Sequence, residues 1–109
     1  MQIDHAILKS NVTTLQRALD SLSTAKYAAV LAMTSPKSKL TRAQRALADR
    51  LLVAASGSRQ QGEYALAFLR RGEEVPGVSD DQMIEYLRSC DDQASGLYYV
   101  VSLATGAAS

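Results

Sequence analysis

The chain has no tryptophan, one phenylalanine, one cysteine and two prolines, and a single histidine. One cysteine excludes an internal disulfide and any thiolate metal cluster. One histidine excludes a His-rich metal site and leaves little material for a Ser–His pair. With no Trp, one Phe and five Tyr there is no aromatic ladder on which single-stranded bases could stack. No apolar run approaches the roughly 20 residues that span a bilayer. The opening residues, MQIDHAILKSN, have neither the basic flank nor the apolar stretch of a signal peptide. Neither sign of charge dominates: Lys+Arg 12 against Asp+Glu 11 leaves +1, unlike a protein that coats nucleic acid. The expectation is one small cytoplasmic domain, residues 1–109, with no cofactor, no metal and no membrane span.

What is present is a helical pattern. Apolar residues make up 47% of the chain, enough to bury a core. Pro36 and Pro76 fall in polar or Gly-rich stretches and divide the sequence into three similar parts. In the first, Leu8, Val12, Leu15, Leu19, Leu22, Lys26, Ala29 and Met33 recur at alternating steps of four and three. In the second the stripe is Leu40, Ala43, Leu47, Leu51, Ala54, Ser58, Gln61, Ala65 and Phe68. In the third it is Met83, Leu87, Cys90, Ala94, Leu97, Val101 and Ala104. Each stripe is the signature of an amphipathic helix.

The ends agree with that reading. Thr41 with Gln44, and Ser79 with Gln82, have the spacing of a capping box. Asp80 and Asp81 put negative charge where the helix dipole favours it, and Val78 with Met83 has the spacing of a hydrophobic staple. Arg70-Arg71-Gly72 and Gly106 read as helix ends. Helices are therefore predicted near 4–34, 41–71 and 80–105. Asn11 is a good N-cap and could open the first helix late. Ser56-Gly57-Ser58 and Gly62 are the places where the second could break, unless small residues are needed there for close packing. The predicted fold class is all-α: three long antiparallel amphipathic helices in a coiled-coil-like bundle.

Two features exceed what a lone bundle needs. Ile3, Ile7, Val30 and Leu31 lie outside the first stripe, and the second and third helices end apolar on more than one face. This marks Tyr64, Phe68, Leu69, Tyr98, Tyr99 and Val100 as candidate contact residues for a protein partner, because Tyr joins apolar area to a polar tip. Charge is also uneven. Residues 1–71 carry eleven Lys/Arg against four Asp/Glu, net +7, and residues 72–109 carry one against seven, net −6. The halves either complement each other inside the bundle or present charged faces. The run Lys37, Lys39, Arg42, Arg45 and Arg50 is the candidate patch for nucleic acid or an acidic partner. Arg42 and Arg45 stand at a helix start, which the dipole disfavours.

Nothing in the sequence assembles catalysis. His5 and Asp4 are adjacent and cannot face each other on a helix. Cys90 falls on the third stripe as a small hydrophobe. Asp80, Asp81, Glu85, Asp91 and Asp92 lack calcium-loop spacing, and Ser56-Gly57-Ser58 lacks the pattern of a phosphate loop. The functional expectation is a non-catalytic helical interaction protein, an adaptor, chaperone or inhibitor of the kind found among bacterial or phage accessory proteins. It is expected to self-associate as a homodimer or higher even oligomer. Nucleic-acid regulation through the basic run is the alternative.

Overall fold

The computed structural model describes the backbone of residues 5–107 and the side-chain environments of residues 11–107. The expectations placed on Ile3, Asp4, His5, Ile7 and Leu8 lie outside the described side chains. Three helices follow one another: α1 (His5–Thr34), α2 (Arg42–Arg70) and α3 (Asp80–Thr105). All three pack together in an up-down-up bundle measuring 54 × 20 × 19 Å. Neither Asn11 nor Gly57 interrupts its helix.

The helices start and stop for local reasons. Thr41 accepts from the Gln44 N–H while the Gln44 side chain accepts from the Thr41 N–H, and Ser79 and Gln82 do the same for α3. α2 ends in a Schellman motif. Gly72 takes the left-handed conformation (φ 77°), its N–H donates to the Leu69 carbonyl, and the Glu73 N–H donates to the Phe68 carbonyl. Gly106 closes α3 at φ 80°.

The core is three stacked clusters. At one end Leu15, Leu19, Ala65, Leu66 and Leu69 meet Val75 of the α2–α3 connection. In the middle Leu22, Ala25 and Ala29 of α1 meet Ala55 of α2 and Cys90, Ala94 and Leu97 of α3. At the far end Met33, Ala48 and Val100 meet. Alanine is the commonest buried side chain among the described residues. Small side chains let helix axes approach closely, which explains the narrow cross-section.

Among the described side chains, α1 and α3 bury most of the predicted stripes and half-bury Val12, Lys26, Met83, Leu87 and Val101, with Ala25 and Val100 added to the buried set. α2 does so only in part. Of its predicted stripe Ala65 is buried and Leu40, Leu51, Ser58 and Phe68 are half-buried, but the other buried residues, Ala48, Ala55, Gly62, Leu66 and Leu69, lie off it, most of them one residue further along than the predicted Leu47, Ala54, Gln61 and Phe68. Leu47 is 46% exposed, and Ala54 and Gln61 face solvent. The buried face is thus turned from the expected one toward the next residue along, by less than the about 100° that separates neighbouring residues. Close packing selects the small residues and leaves the larger ones on the flank.

Candidate functional site: an uncharged groove between the second and third helices

A polar node fixes how α3 sits on α2. Tyr86 projects from α3, and its hydroxyl donates to the Ser58 carbonyl of α2. The Gly62 backbone and the Cys90 side chain lie beside the same oxygen. Gly62 makes the approach feasible, because a Cβ there would overlap Tyr86 Oη and Leu19 Cδ2. Burial pushes the Tyr86 phenol well above its ordinary range, and Cys90 beside it adds to the shift. Burial also raises the Cys90 thiol, with Tyr86 partly opposing. Cys90 is therefore a protonated core thiol at neutral pH, as its place on the stripe implies.

Beside this node, residues of α2, of α3 and of the connection between them face a common space. The result is a groove of about 490 Å³. Ala65, Met83 and Tyr86 line its inner part, Val75 to Val78 close one end, and Gln60, Gln61, Tyr64 and Gln82 also border it. None of these side chains is charged at neutral pH. Gln82 is engaged in the α3 capping box. The groove can therefore take apolar side chains, with amide and phenol groups at hand for hydrogen bonds; it supplies no nucleophile, base or cation.

The six candidate contact residues divide. Tyr64 (59% exposed) borders the groove. Phe68 is half-buried, with the Tyr64 ring edge-on at 5.0 Å and the Arg71 guanidinium 4.7 Å from its centroid. Tyr98 and Tyr99 are exposed near the other end of the bundle and lie on neighbouring faces of α3. Leu69 and Val100 are corrected: at 7% and 1% exposure both belong to the chain's own core and are not available to a partner. Leu69 moved inward with the turning of the buried face of α2. Val100 did so because it joins Met33 and Ala48 in the cluster that fills the far end of the core, with Leu40, Leu51 and Leu52 around them.

The basic run gathers at the opposite end, and Lys37, Lys39, Arg42, Arg45 and Arg50 are all exposed. Two helix C-termini explain part of it. Arg45 Nη2 donates to the Met33 carbonyl in the last turn of α1 (3.4 Å). The Lys39 N–H donates to the Ala104 carbonyl of α3 (2.8 Å), and its side chain lies against Gly106. Neither α1 nor α3 has a basic residue of its own in its last turn. Positive charge that is unfavourable for the start of α2 is favourable for these two ends. The ion pairs among the described residues, Arg59–Glu63, Arg71–Glu73 and Glu85–Arg88, are local and exposed. None joins the acidic third helix to the basic part of the chain.

Tyr86, Gln60, Met83 and the connection Val75–Val78 were not among the residues singled out from the sequence for a partner surface. The one available signal was Gly62, whose place in a helix interior pointed to a close approach. No described helix is long and apolar enough to cross a membrane. Comparison of the chain with protein families, with curated proteins and with solved structures returned no match.

Proposed function

We propose that this chain is a non-catalytic helical interaction module of the cytoplasm, and that it docks apolar side chains of a protein partner in the groove between α2 and α3. The observation that carries this reading is the groove itself: about 490 Å³, uncharged, and bordered by the exposed Tyr64. Such a site suits an inserted helix or extended segment, with burial of apolar surface as the driving force. The absence of charge in the lining argues against catalysis, because no acid, base or nucleophile faces the space. The test is affinity capture from the protein's own cells with three baits: wild type, a groove variant (Gln61→Arg with Val78→Asp), and a basic-run variant (Arg42, Arg45 and Arg50→Gln). A partner held by wild type and the basic-run variant but lost with the groove variant supports the reading. A partner indifferent to the groove variant removes it.

A second reading rests on the exposed basic end, where Lys37, Arg42 and Arg50 have no ion-pair partner among the described residues. Nucleic acid bound there would be released steeply with salt. Retention on heparin across a salt gradient measures that directly, and a shallow dependence removes it.

A further inference from the structure

Gly57 lies near the middle of α2, and a Cβ placed on it meets nothing within 4 Å. The chain's own packing gives no reason for a residue that costs a helix interior about 0.8–1 kcal/mol against alanine. Gly57 also belongs to a second stripe on α2, on the outside. That stripe runs from Ala46 through Arg50, Val53, Gly57, Gln60, Tyr64 and Ala67 to the C-cap Arg71 at steps of three and four, and each of these residues is exposed. Val53 is the most exposed large hydrophobic among the described residues, at 74%, and Tyr64 follows the same line at 59%. Between the two arginines the line carries no charge. A seven-residue repeat of this kind is the seam that another helix covers, and glycine at its centre lets that helix come close.

Charge identifies the covering helix. The end of the bundle built from residues 26–53 and 93–107 carries six Lys/Arg against one Asp/Glu, and residues 63–92 at the other end carry three against eight. A second copy laid antiparallel puts the basic end on the acidic end twice over, related by a two-fold axis. A parallel copy would set Arg50 on Arg50 and Arg71 on Arg71, with each charged end against its like.

We propose that the chain forms a two-fold antiparallel dimer through the outer face of α2, with Val53 of each copy against Tyr64 of the other and Gly57 against Gln60 at the centre. In this register Arg50 meets Ala67 of the second copy, and Ala46 meets Arg71, so that no arginine faces another. Glu73 and Glu74 of one copy lie beside Arg42 and Arg45 of the other. The dimer rests on the reading of this region as a protein-docking surface and names its partner as a second copy. Gln60 and Tyr64 border both the stripe and the groove, so the second helix lies along the groove's edge.

The experiment is sedimentation across the micromolar range together with cysteine cross-linking after mild oxidation. Wild type is expected to sediment as a dimer that high salt weakens. Val53→Arg and Gly57→Leu both place new atoms in open space, so each keeps wild-type helicity by circular dichroism. Each is expected to weaken the dimer at least tenfold, about 1.4 kcal/mol. A chain carrying Val53→Cys mixed with one carrying Tyr64→Cys is expected to give a cross-linked mixed dimer. Val53→Cys alone is not, since its two copies lie eleven residues out of step, about 16 Å apart at 1.5 Å per residue. Cross-linking of Val53→Cys to itself would overturn the antiparallel arrangement, and dimers untouched by Gly57→Leu would overturn the choice of face. A monomer at every concentration would overturn self-association but leave the groove reading standing. That reading fails separately, if a captured partner ignores Gln61→Arg with Val78→Asp, neither of which lies on the outer stripe.

Discussion

Gly57 and Gly62 stand on one helix, a turn and a half apart, and their surroundings are opposite. Around Gly62 the inner face of α2 is crowded: Leu19 of α1 and the Tyr86 hydroxyl of α3 both press on the place a side chain would occupy. Around Gly57 the outer face is open, with nothing within 4 Å. The same residue type thus marks close approach on one face and an unoccupied surface on the other. Neither glycine breaks the helix, because α2 is held by its capped ends and by burial along its length rather than by propensity at each position.

The largest expected effect tests the crowded side. Gly62→Ala forces Leu19 and Tyr86 to move in a well-packed bundle, and overpacking of this kind typically costs about 1–3 kcal/mol. A fall of about 4–8 °C in Tm per kcal/mol should accompany it in thermal melts. An unchanged melting temperature would mean that the close contact at Gly62 contributes little to the fold.

Tyr86→Phe is the next largest. It keeps the ring and deletes the hydroxyl that donates to the Ser58 carbonyl. The expected loss is about 0.5–1.5 kcal/mol by urea denaturation. The same group gives a pH signature. The folded chain holds the protons of Tyr86 and Cys90 more tightly than the unfolded chain, since both values are raised. Their stabilisation is complete below the ordinary thiol and phenol values and declines as pH rises past 9.0 and 10.0. Tyr86→Phe combined with Cys90→Ala should flatten that alkaline decline, as followed by denaturation midpoints from pH 8 upward. An alkaline limb as steep as wild type's would place the titrating group elsewhere.

Gly57→Ala should act in the opposite direction to Gly62→Ala. In dilute, monomeric protein it should gain about 0.8–1 kcal/mol, the helix-propensity difference, with nothing lost to collision. Loss of stability at Gly57 under those conditions would erase the contrast between the two faces.

The contrast also explains what could be read from residue order. Helix ends were legible because caps are local: Thr41 with Gln44, Ser79 with Gln82, and Gly106 act within a single turn, and they fall where they were expected. The stripes of α1 and α3 were legible because Leu15, Leu19, Leu22 and Leu97 dominate them. The setting of α2 was not. Its inner line contains alanine and glycine, which carry almost no hydrophobic signal, while Leu47 and Phe68 draw the eye to the flank. An axis that comes close buries small residues and turns large ones outward, so a search for the largest apolar residues lands one position off. The groove was hidden for a related reason. It depends on which residues of α2 and α3 come to face the Val75–Val78 connection, which no periodicity encodes. Tyr64, singled out as an excess aromatic, was the one part of it visible beforehand.

The smallest effects lie in the basic run, where the division between faces should hold residue by residue. Arg45 reaches across to the Met33 carbonyl at the end of α1, whereas Arg50 sits on the outer stripe, exposed and outside every ion pair among the described residues. A cation at a helix C-terminus contributes about 0.3–1 kcal/mol when exposed, and an exposed charge with no partner contributes close to nothing. Arg42, Arg45 and Arg50→Gln together should therefore leave a folded bundle, destabilised by no more than about 1 kcal/mol. Arg45→Gln alone should reproduce nearly all of that loss, and Arg50→Gln alone none of it, in urea titrations of the dilute chain. If Arg50→Gln costs as much as Arg45→Gln there, the outer face of α2 is engaged within the single chain. Its open stripe would then no longer be free to receive another helix.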